Sequence, residues 1–371
     1  MKVPASLPNF SDEDVQIILK NFKDILDGKS FLSQYIFSEK FENLFAEFVG
    51  SKYAVSCNSG TSALELIFRS INIEGKEVIL PSNTFIATAN AIINAGGKLV
   101  FADCDNDMCL SYNSVIDKIN KNTVAVCHVH IAGFVTHDAL KIAQFCKKNN
   151  ILFIEDAAQA HGSSLNNYNA GTIGDAAAFS FYSTKVMTTG EGGMLTTNNK
   201  EISEKSKSLR EFGKKPNEIY TNIYWALGYN WRMPEVSALM GIQQLNALNK
   251  NIKKRREIIS HYDNILENES FFNPIGTRYR NSSNGFKYIL KVDTKLRDSL
   301  HMFFLKNKIS PSGYVYELPL HKMEVFSDHN HEKLPNSDLL CSSHFCLPVY
   351  PKMTEEQVSY VANIFCKFFT N

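Results

Sequence analysis

Residues 180–194 read SFYSTKVMTTGEGGM and place one lysine, Lys185, between two contrasting segments. The run from Ala176 to Phe181 is apolar and predicts a buried strand, whereas a glycine-rich turn at residues 190–193 follows the lysine. An amine at the end of a buried strand holds its proton less tightly and becomes a nucleophile, as a Schiff-base lysine requires. A lone lysine at a strand end is usually just solvated, so its role depends on the segments before it.

Apolar runs of strand length recur before and after this lysine, and helical patterns separate most of them. The predicted strands are Tyr53–Cys57, Glu77–Leu80, Lys98–Ala102, Thr123–Cys127, Ile151–Glu155, Ala176–Phe181 and Met194–Thr197. Strands that are apolar on both faces and alternate with helices indicate an α/β fold, in which helices cover a mostly parallel sheet.

The two ends of the chain have different patterns. A capped helix is predicted to begin at Ser11, and after Pro234 a helical pattern continues for more than about 25 residues. Beyond it come a strand pattern and two helical patterns, which indicate an α+β unit. A chain of 371 residues fits about two domains. We therefore predict a large domain at 1–250, with a helical amino-terminal segment, and a smaller α+β domain at 251–371.

Composition limits the possible functions. The formal net charge is +1, which provides no electrostatic reason to expect a nucleic acid or an anionic membrane as partner. The sequence has neither a bilayer-spanning apolar run nor a secretory signal, so the eight cysteines are expected to be reduced thiols of a cytoplasmic protein. His128 and His130 share one face of a predicted strand, but no third ligand is near in sequence, so no metal is expected.

Small polar residues start the helix that follows the first predicted strand. Ser59, Gly60, Thr61 and Ser62 stand at this helix start. Backbone N–H groups at a helix N-terminus, together with hydroxyl groups, can hold a phosphate. A simple Ser/Thr cap explains the same residues, and in isolation it is the commoner structure. Ser180, at the end of another predicted strand, can add a further phosphate contact.

An aromatic ring and a carboxylate follow two other strands. Phe85 lies just past a strand, where its ring can stack on a flat heterocycle or, more commonly, pack in the core. Asp156 follows the strand that ends at Glu155, and a carboxylate there is costly without a cation or hydrogen-bonding ligand. Facing a protonated ring nitrogen, it would let a pyridinium cofactor act as an electron sink. Gln159 could reach a ring hydroxyl, although Asp156 could equally be a helix cap.

Several segments, in the same order, resemble the DegT/DnrJ/EryC1/StrS family of sugar aminotransferases. They include GSKYAVSCNSGTSALEL (50–66), IEDAAQAHGS (154–163), GDAAAFSFYSTKVMTTGEGGM (174–194) and LGYNWRMPEV (227–236). The resemblance covers nearly the whole chain. It implies the aspartate-aminotransferase fold (fold type I of the pyridoxal-phosphate enzymes), with a large domain around a mostly parallel seven-stranded sheet. It also implies pyridoxal 5'-phosphate as the cofactor.

The resemblance further implies a role for each of the residues around the cofactor ring. Lys185 would hold the cofactor as a Schiff base and then move the proton between the substrate and the cofactor. Asp156 would pair with the pyridine nitrogen, Phe85 would stack on the ring, and Gln159 would lie near its hydroxyl group. Because relatives that dehydrate sugars have a histidine in place of this lysine, Lys185 favours amino transfer.

Other implied roles concern the phosphate, the substrate and a second subunit. Thr61, Ser62 and Ser180 would hold the phosphate. Asn230 would reach the cofactor phosphate of the neighbouring subunit, so the active unit is expected to be a homodimer. Glu191 and His321 would help to shape the substrate pocket. They complete the residues that the resemblance assigns to the site.

The sequence leaves the substrate open. The leading hypothesis is amino transfer, with glutamate as donor, to a nucleotide-linked keto-deoxysugar in polysaccharide or glycan biosynthesis. A small phosphorylated ketone or a keto-cyclitol is an alternative acceptor, because Ser343 and His344 stand where the family often has an arginine. A third alternative, a catalytically inert regulatory or scaffold protein of the same fold, is disfavoured because the catalytic set is complete and no basic patch is present.

Overall fold

The computed structural model describes residues 1–215, 223–329 and 331–370. The first nine strands are β1 (Tyr53–Cys57), β2 (Glu77–Pro81), β3 (Lys98–Ala102), β4 (Thr123–Val129), β5 (Leu152–Asp156), β6 (Ser164–Leu165), β7 (Tyr168–Asn169), β8 (Ala176–Ser180) and β9 (Gly193–Thr197). Seven of them form one sheet in the order β1–β9–β8–β5–β4–β2–β3, and β6 and β7 form a small hairpin.

The direction of the strands determines where functional groups can gather. β2, β3, β4, β5 and β8 run parallel to one another, whereas β9 is antiparallel to its neighbours β8 and β1. β1 therefore points the same way as β8. The carboxyl ends of six strands meet at one edge of the sheet, where open α/β sheets bind ligands. The predicted mostly parallel, seven-stranded sheet is confirmed.

Helices cover both faces of this sheet. Those of the chain's first 270 residues are α1 (Asp12–Asp24), α2 (Ile36–Val49), α3 (Gly60–Ser70), α4 (Ile86–Asn94), α5 (Tyr112–Lys118), α6 (His137–Lys148), α7 (Lys200–Arg210) and α8 (Glu235–Leu266). The residues of β8 show that the sheet packs against helices on both faces. Ala176 and Ala178 pack into one apolar cluster with residues of α3 and α4, while Ala177 and Phe179 pack into another with residues of α2 and α8. Both faces are thus buried, as the continuous apolar runs predict.

A second, smaller sheet lies in the carboxyl-terminal part of the chain. Strands β10 (Tyr288–Lys291) and β11 (His344–Leu347) pair antiparallel, and the helices here are α9 (Thr294–Lys306), α10 (Pro335–Ser342) and α11 (Glu355–Thr370). β10, β11, α9 and α11 share a third apolar cluster. The predicted α+β character of this part is present in the structure.

Helix α8 is 32 residues long and contributes to two of these clusters. Ile242 and Leu248, in its first half, pack with the central sheet, whereas Tyr262 and Leu266, near its end, pack with β10 and β11. Val3 also packs in the carboxyl-terminal cluster. The division into domains at residue 250, which falls inside α8, stays a prediction. Among the described residues, no helix is long and apolar enough to cross a membrane.

Candidate active site

A cavity of about 420 Å³ opens at the carboxyl edge of the central sheet. The structure brings eight of the eleven predicted site residues to its walls: Gly60, Thr61, Phe85, Asp156, Gln159, Ser180, Lys185 and Glu191. These residues are spread over 132 positions of the sequence, from 60 to 191. They meet because each follows or starts an element whose end lies at the same sheet edge.

The start of α3 forms one wall of the cavity. Ser59 is the N-cap, and its Oγ accepts a hydrogen bond from the backbone N–H of Ser62 at 3.1 Å. The Ser62 hydroxyl donates to Oδ1 of Asn58 at 2.7 Å and does not line the cavity. The hydroxyl groups of Ser59 and Ser62 both form hydrogen bonds within this helix start. The phosphate contact predicted for Ser62 stays a prediction.

Gly60 permits a close approach between this helix start and β8. A Cβ atom at position 60 would lie only 2.6 Å from Cβ of Ser180, a separation that real Cβ atoms do not show. The absence of that atom lets Ser180 lie directly against the first turn of α3. The first N–H groups of a helix have no acceptor within the helix and attract anions. Thr61 and Ser180 line the cavity beside these groups, so this corner fits a phosphate.

Phe85 presents its ring to the cavity. The residue precedes α4 with an extended backbone, and 60% of its surface is exposed although its neighbours Asn83 and Thr84 are buried. A large apolar side chain that is exposed within a cavity can gain buried area from a ligand. The ring therefore fits the predicted stacking role, and the alternative of a core phenylalanine does not describe this position.

Asp156 is the last residue of β5 and is 6% exposed. One carboxylate oxygen accepts from the Thr88 hydroxyl at 2.7 Å, and the other accepts from the Ala158 N–H at 3.2 Å. Neither donor is charged, and in the described part of the chain no cation lies within ion-pair distance of this carboxylate. A nearly buried anion of this kind is stabilised by a cationic ligand group, such as a protonated ring nitrogen.

Gln159 is held at both ends of its side-chain amide. Its Oε1 accepts from the Ala132 N–H at 2.8 Å, and its Nε2 donates to the hydroxyl of Tyr316 at 2.7 Å. Ala132 has a positive φ of 55°, which turns its N–H group toward this amide. The amide is thus fixed at the cavity wall beside Asp156.

Lys185 lies half-buried in the irregular segment between β8 and β9. Burial lowers the pKa of its amine to about 8, the nearby Asp156 carboxylate opposes that shift, and the Lys287 cation adds to it. Its Nζ lies 5.4 Å from the centre of the Phe286 ring. A larger share of free amine at neutral pH is the property that a nucleophilic lysine needs.

Sequence reasoning missed a second wall of the cavity. It consists of five residues from the carboxyl-terminal part of the chain, which are Phe286, Lys287, Tyr314, Val315 and Tyr316. The pattern of residues 286–292 predicts only the strand of the carboxyl-terminal α+β unit, and nothing in it predicts a site. The signal in this run is Lys287, a charged residue between Phe286 and Tyr288.

Two other predicted site residues lie away from the cavity. Asn230 is exposed and pairs with Glu211 in an isolated bridge. The His321 ring is buried, with Nδ1 2.6 Å from Oγ of Ser82 and Nε2 3.3 Å from a carboxylate oxygen of Asp338. Neither residue lines the cavity, so the roles predicted for them stay predictions.

The histidine at the place where the family often has an arginine packs behind the second wall. His344 accepts a hydrogen bond at Nε2 from the N–H of Val315 at 2.7 Å, and its Nδ1 lies 2.6 Å from the carbonyl oxygen of Leu340. Burial lowers the pKa of His344 to about 4, in keeping with a neutral ring that accepts. Its position indicates support of the 314–316 segment rather than contact with a ligand.

His128 and His130 are adjacent but have different surroundings. Their rings lie 4.9 Å apart, and His130 pairs with Glu155 at 2.8 Å. Burial holds the pKa of His128 well below its usual range. Within the described ranges, no group of three or more possible metal ligands is present.

The assembled groups fit one kind of ligand. The start of α3 fits a phosphate, Phe85 fits a flat ring, Asp156 fits a protonated ring nitrogen, and Lys185 fits a carbonyl carbon. A pyridoxal phosphate has all four of these parts.

Comparison with known proteins gives the same result. The sequence profile of the DegT/DnrJ/EryC1/StrS aminotransferase family matches residues 12–366. GDP-perosamine synthase of Escherichia coli O157:H7 is 30% identical and aligns over 100% of this chain and 99% of its own. The UDP-4-amino-4,6-dideoxy-N-acetyl-beta-L-altrosamine transaminase of Campylobacter jejuni is 30% identical, and the alignment covers 97% of this chain and 95% of its own. The aminotransferase PseC of Helicobacter pylori, involved in pseudaminic acid biosynthesis, superposes with a TM-score of 0.91 at 27% identity, covering 100% of both chains.

Proposed function

The chain belongs to the DegT/DnrJ/EryC1/StrS aminotransferase family and is a pyridoxal-phosphate-dependent aminotransferase, and from this premise we propose that it transfers an amino group from L-glutamate to a nucleotide-linked keto-deoxysugar. The observation that carries the proposal is the position of Lys185, whose amine of lowered pKa shares a cavity with Asp156 and the exposed ring of Phe85. When bound, pyridoxal phosphate supplies an electron sink for the charge that develops on the substrate carbon.

Different residues of the chain would bind different parts of the cofactor. Gly60, Thr61 and Ser180 would hold its phosphate, and Phe85 would cover its ring. Asp156 would keep the ring nitrogen protonated through a charge-assisted hydrogen bond. Gln159, fixed at both ends of its amide, would define the lateral position of the ring.

Lys185 would bind the cofactor covalently and then carry the proton. A group whose pKa lies near the operating pH both gives and takes a proton readily. With a pKa of about 8, the Lys185 amine meets that condition better than an exposed lysine. The Asp156 carboxylate, which raises this pKa, and the Lys287 cation, which lowers it, would together set the balance.

The names of the relatives support the proposed acceptor. Two of them carry GDP- or UDP-linked amino sugars in their names. We therefore infer a nucleotide-linked keto-deoxysugar for this chain, in polysaccharide or glycan biosynthesis. Glu191 is exposed beside the cavity and would contact the sugar. We also propose a cytoplasmic location, which agrees with the free thiols of the cysteines.

We further propose that the active unit is a homodimer with shared sites. Large apolar side chains are exposed on two segments, with Phe31 and Leu32 in one and Trp225 and Leu227 in the other, and Leu227 is 96% exposed. Apolar surface of this kind is typical of a protein interface. Asn230 comes three residues after Leu227 and would reach the cofactor phosphate of the partner.

Mixing an inactive variant, Lys185→Ala, with an impaired one, Asn230→Ala, tests the shared site. In a hybrid of Lys185→Ala and Asn230→Ala subunits, one site carries both substitutions and the other carries none. Exchange of subunits should therefore restore about half of the wild-type activity per hybrid dimer. Activity that stays at the level of the separate variants after proven exchange would show that the sites are not shared.

Glutamate consumption against a panel of acceptors tests the proposed reaction. The panel contains GDP-, UDP- and dTDP-linked keto-deoxysugars, a small phosphorylated ketone and a keto-cyclitol. We expect amino transfer to one nucleotide-linked sugar, with the Lys185→Ala variant as the blank. Turnover of only the phosphorylated ketone or the cyclitol would replace the proposed acceptor. If another amino acid abolishes the yellow absorbance of the enzyme and glutamate does not, that amino acid would replace glutamate as the proposed donor.

A further inference from the structure

Lys287 is a second lysine in the cavity wall, and the proposed mechanism gives it no contact with substrate. It directly precedes β10 and lies half-buried beside the cavity. Its ammonium group donates to the carbonyl oxygen of Ser312 at 2.6 Å and to the hydroxyl of the same residue at 2.7 Å. Two bonds fix the direction of a side chain that is otherwise flexible, and they leave one N–H of the ammonium for another partner.

The charges around Lys287 are mainly positive. Arg255 packs against Gly285, two residues before Lys287, and a Cβ atom added at position 285 would lie 2.9 Å from Cβ of the arginine. Lys185 is a further cation and lines the same cavity as Lys287. Within the described residues, no carboxylate lies within ion-pair distance of Lys287. Burial is the main cause that lowers the pKa of Lys287, Cys346 opposes that shift, and the Arg255 cation adds to it.

A half-buried ammonium group without a counter-ion carries an uncompensated cost of desolvation. The two carboxylates of the cavity wall do not serve as a counter-ion for Lys287. Asp156 is held by Thr88 and acts on Lys185, and Glu191 is exposed on the opposite segment. An anionic ligand group would remove this cost and gain a charge-assisted hydrogen bond. The position therefore fits an anion that arrives with a substrate.

The Phe286 ring relates this cation to the reacting amine. Nζ of Lys185 lies 5.4 Å from the centre of the ring, and Nζ of Lys287 lies 5.5 Å from the same centre. Both amines thus border one ring, and the Lys287 cation lowers the pKa of Lys185, so an anion on Lys287 would lie on the side of the substrate that carries the reacting carbon. In an amino acid, the α-carboxylate is bonded to that carbon. In a nucleotide-linked keto-sugar, the phosphates are several bonds away from the ketone.

We propose that Lys287 is the specificity residue for the amino donor and binds its α-carboxylate. The inference rests on the proposed transamination and adds a residue that recognises the donor. Ser312 acts as a positioning residue, because it directs the ammonium group toward the cavity. Loss of the cation should weaken donor binding, whereas the maximal rate of the donor half-reaction should change less.

The two half-reactions of the holoenzyme test this role separately. The donor half-reaction is followed by the loss of the yellow absorbance on mixing with L-glutamate. The acceptor half-reaction is followed by the return of the yellow absorbance. For this measurement, the amino form of the enzyme is mixed with the keto-sugar that the panel identifies. For Lys287→Gln, we expect the apparent dissociation constant for glutamate to rise roughly 10- to 100-fold, the usual loss for a hydrogen bond to a charged group. The apparent dissociation constant for the keto-sugar should stay within about twofold of the wild-type value.

Three further variants separate charge from general damage. Lys287→Arg keeps the positive charge and should recover part of the affinity for glutamate. Ser312→Ala removes one anchoring bond and should show a smaller loss. Lys291→Gln is the matched control, because Lys291 ends β10, the strand that Lys287 directly precedes, but lines a different cleft. It should bind glutamate as the wild type does.

The outcomes distinguish the inference from the function on which it rests. If wild-type enzyme does not bleach with any amino acid, the proposed transamination is wrong. If wild type bleaches and Lys287→Gln has an unchanged dissociation constant for glutamate, only the role of Lys287 is wrong. A loss confined to the keto-sugar half-reaction would also overturn it, since the anion would then belong to the acceptor.

Discussion

The cavity has two walls that differ in origin. The first wall comes from strand ends and helix starts of the central sheet, with Gly60, Phe85, Asp156, Ser180 and Lys185. The second comes from the carboxyl-terminal part, with Phe286, Lys287, Tyr314 and Tyr316. The first wall carries the groups that fit the cofactor, while the second completes the space where substrate must lie. This difference teaches that the groups that fit the cofactor gather through local geometry at a sheet edge, whereas the proposed recognition of the donor depends on a distant segment folded against it.

Lys185→Ala should have the largest effect, because it removes both the nucleophile and the proton carrier of the first wall. We expect turnover to fall by roughly 10⁴-fold or more, with loss of the yellow absorbance. Lys185→Arg keeps the charge but has no usable free amine, so it should be equally inactive. Steady-state assays and absorbance spectra measure both variants. Wild-type turnover in either variant would contradict the assignment.

Asp156→Asn should follow. The amide keeps the size of the side chain and can still accept from the Thr88 hydroxyl, but it lacks the negative charge that a protonated ring nitrogen needs. We expect kcat to fall on the order of 10²–10³-fold, as for other preorganised electrostatic contacts. Asp138→Asn, on α6, serves as the control. An unchanged kcat for Asp156→Asn would remove the main electrostatic argument for the first wall.

Gly60→Ala tests the close approach within the first wall. The new Cβ would lie 2.6 Å from Cβ of Ser180, so the helix start or the strand end must move. We expect a loss of about 1–3 kcal/mol in the free energy of unfolding of the cofactor-free protein, the usual cost of overpacking. Chemical denaturation measures it.

A second substitution provides the control. Adding Ser180→Gly to Gly60→Ala removes the opposing Cβ and should recover most of that loss. If the two substitutions instead act additively, the contact between them does not limit the position of α3.

Tyr316→Phe should have the smallest effect and tests the second wall. It removes the acceptor of the Gln159 Nε2–H group, and water from the open cavity can replace part of that bond. We expect kcat/KM to fall roughly 2- to 10-fold, corresponding to about 0.5–1.5 kcal/mol. Tyr360→Phe, whose hydroxyl donates to the carbonyl oxygen of Asn307, is the control. A larger loss for Tyr316→Phe than for Asp156→Asn would reverse the proposed division between the walls.

The strands of the central sheet could be predicted because their sequence pattern is local. All seven predicted strands are present, and their ends differ from the prediction by at most two residues. β11 was not predicted as a strand. It is four residues long, begins at the polar His344 and ends just before Pro348, and it is recognisable only through its pairing with β10.

Most of the first wall could also be predicted, because parallel strands bring their carboxyl ends to one edge. That rule locates Asp156 and Ser180 without any knowledge of packing. It does not reach Lys287, which comes about 100 residues after Lys185 and approaches the cavity from another part of the chain. It also could not show that the Ser62 hydroxyl bonds to Asn58 or that the His321 ring is buried.

The sequence by itself determined the fold class, the family and the wall that fits the cofactor. Strand alternation, helix starts and the order of the motifs are properties of short segments, so they can be seen without the fold. Only the tertiary structure decided the pKa of Lys185, the exposure of Phe85 and the meeting of Lys185 with Lys287 at the Phe286 ring. Burial and the distances between charges depend on residues far apart in the chain, and packing alone brings those residues together.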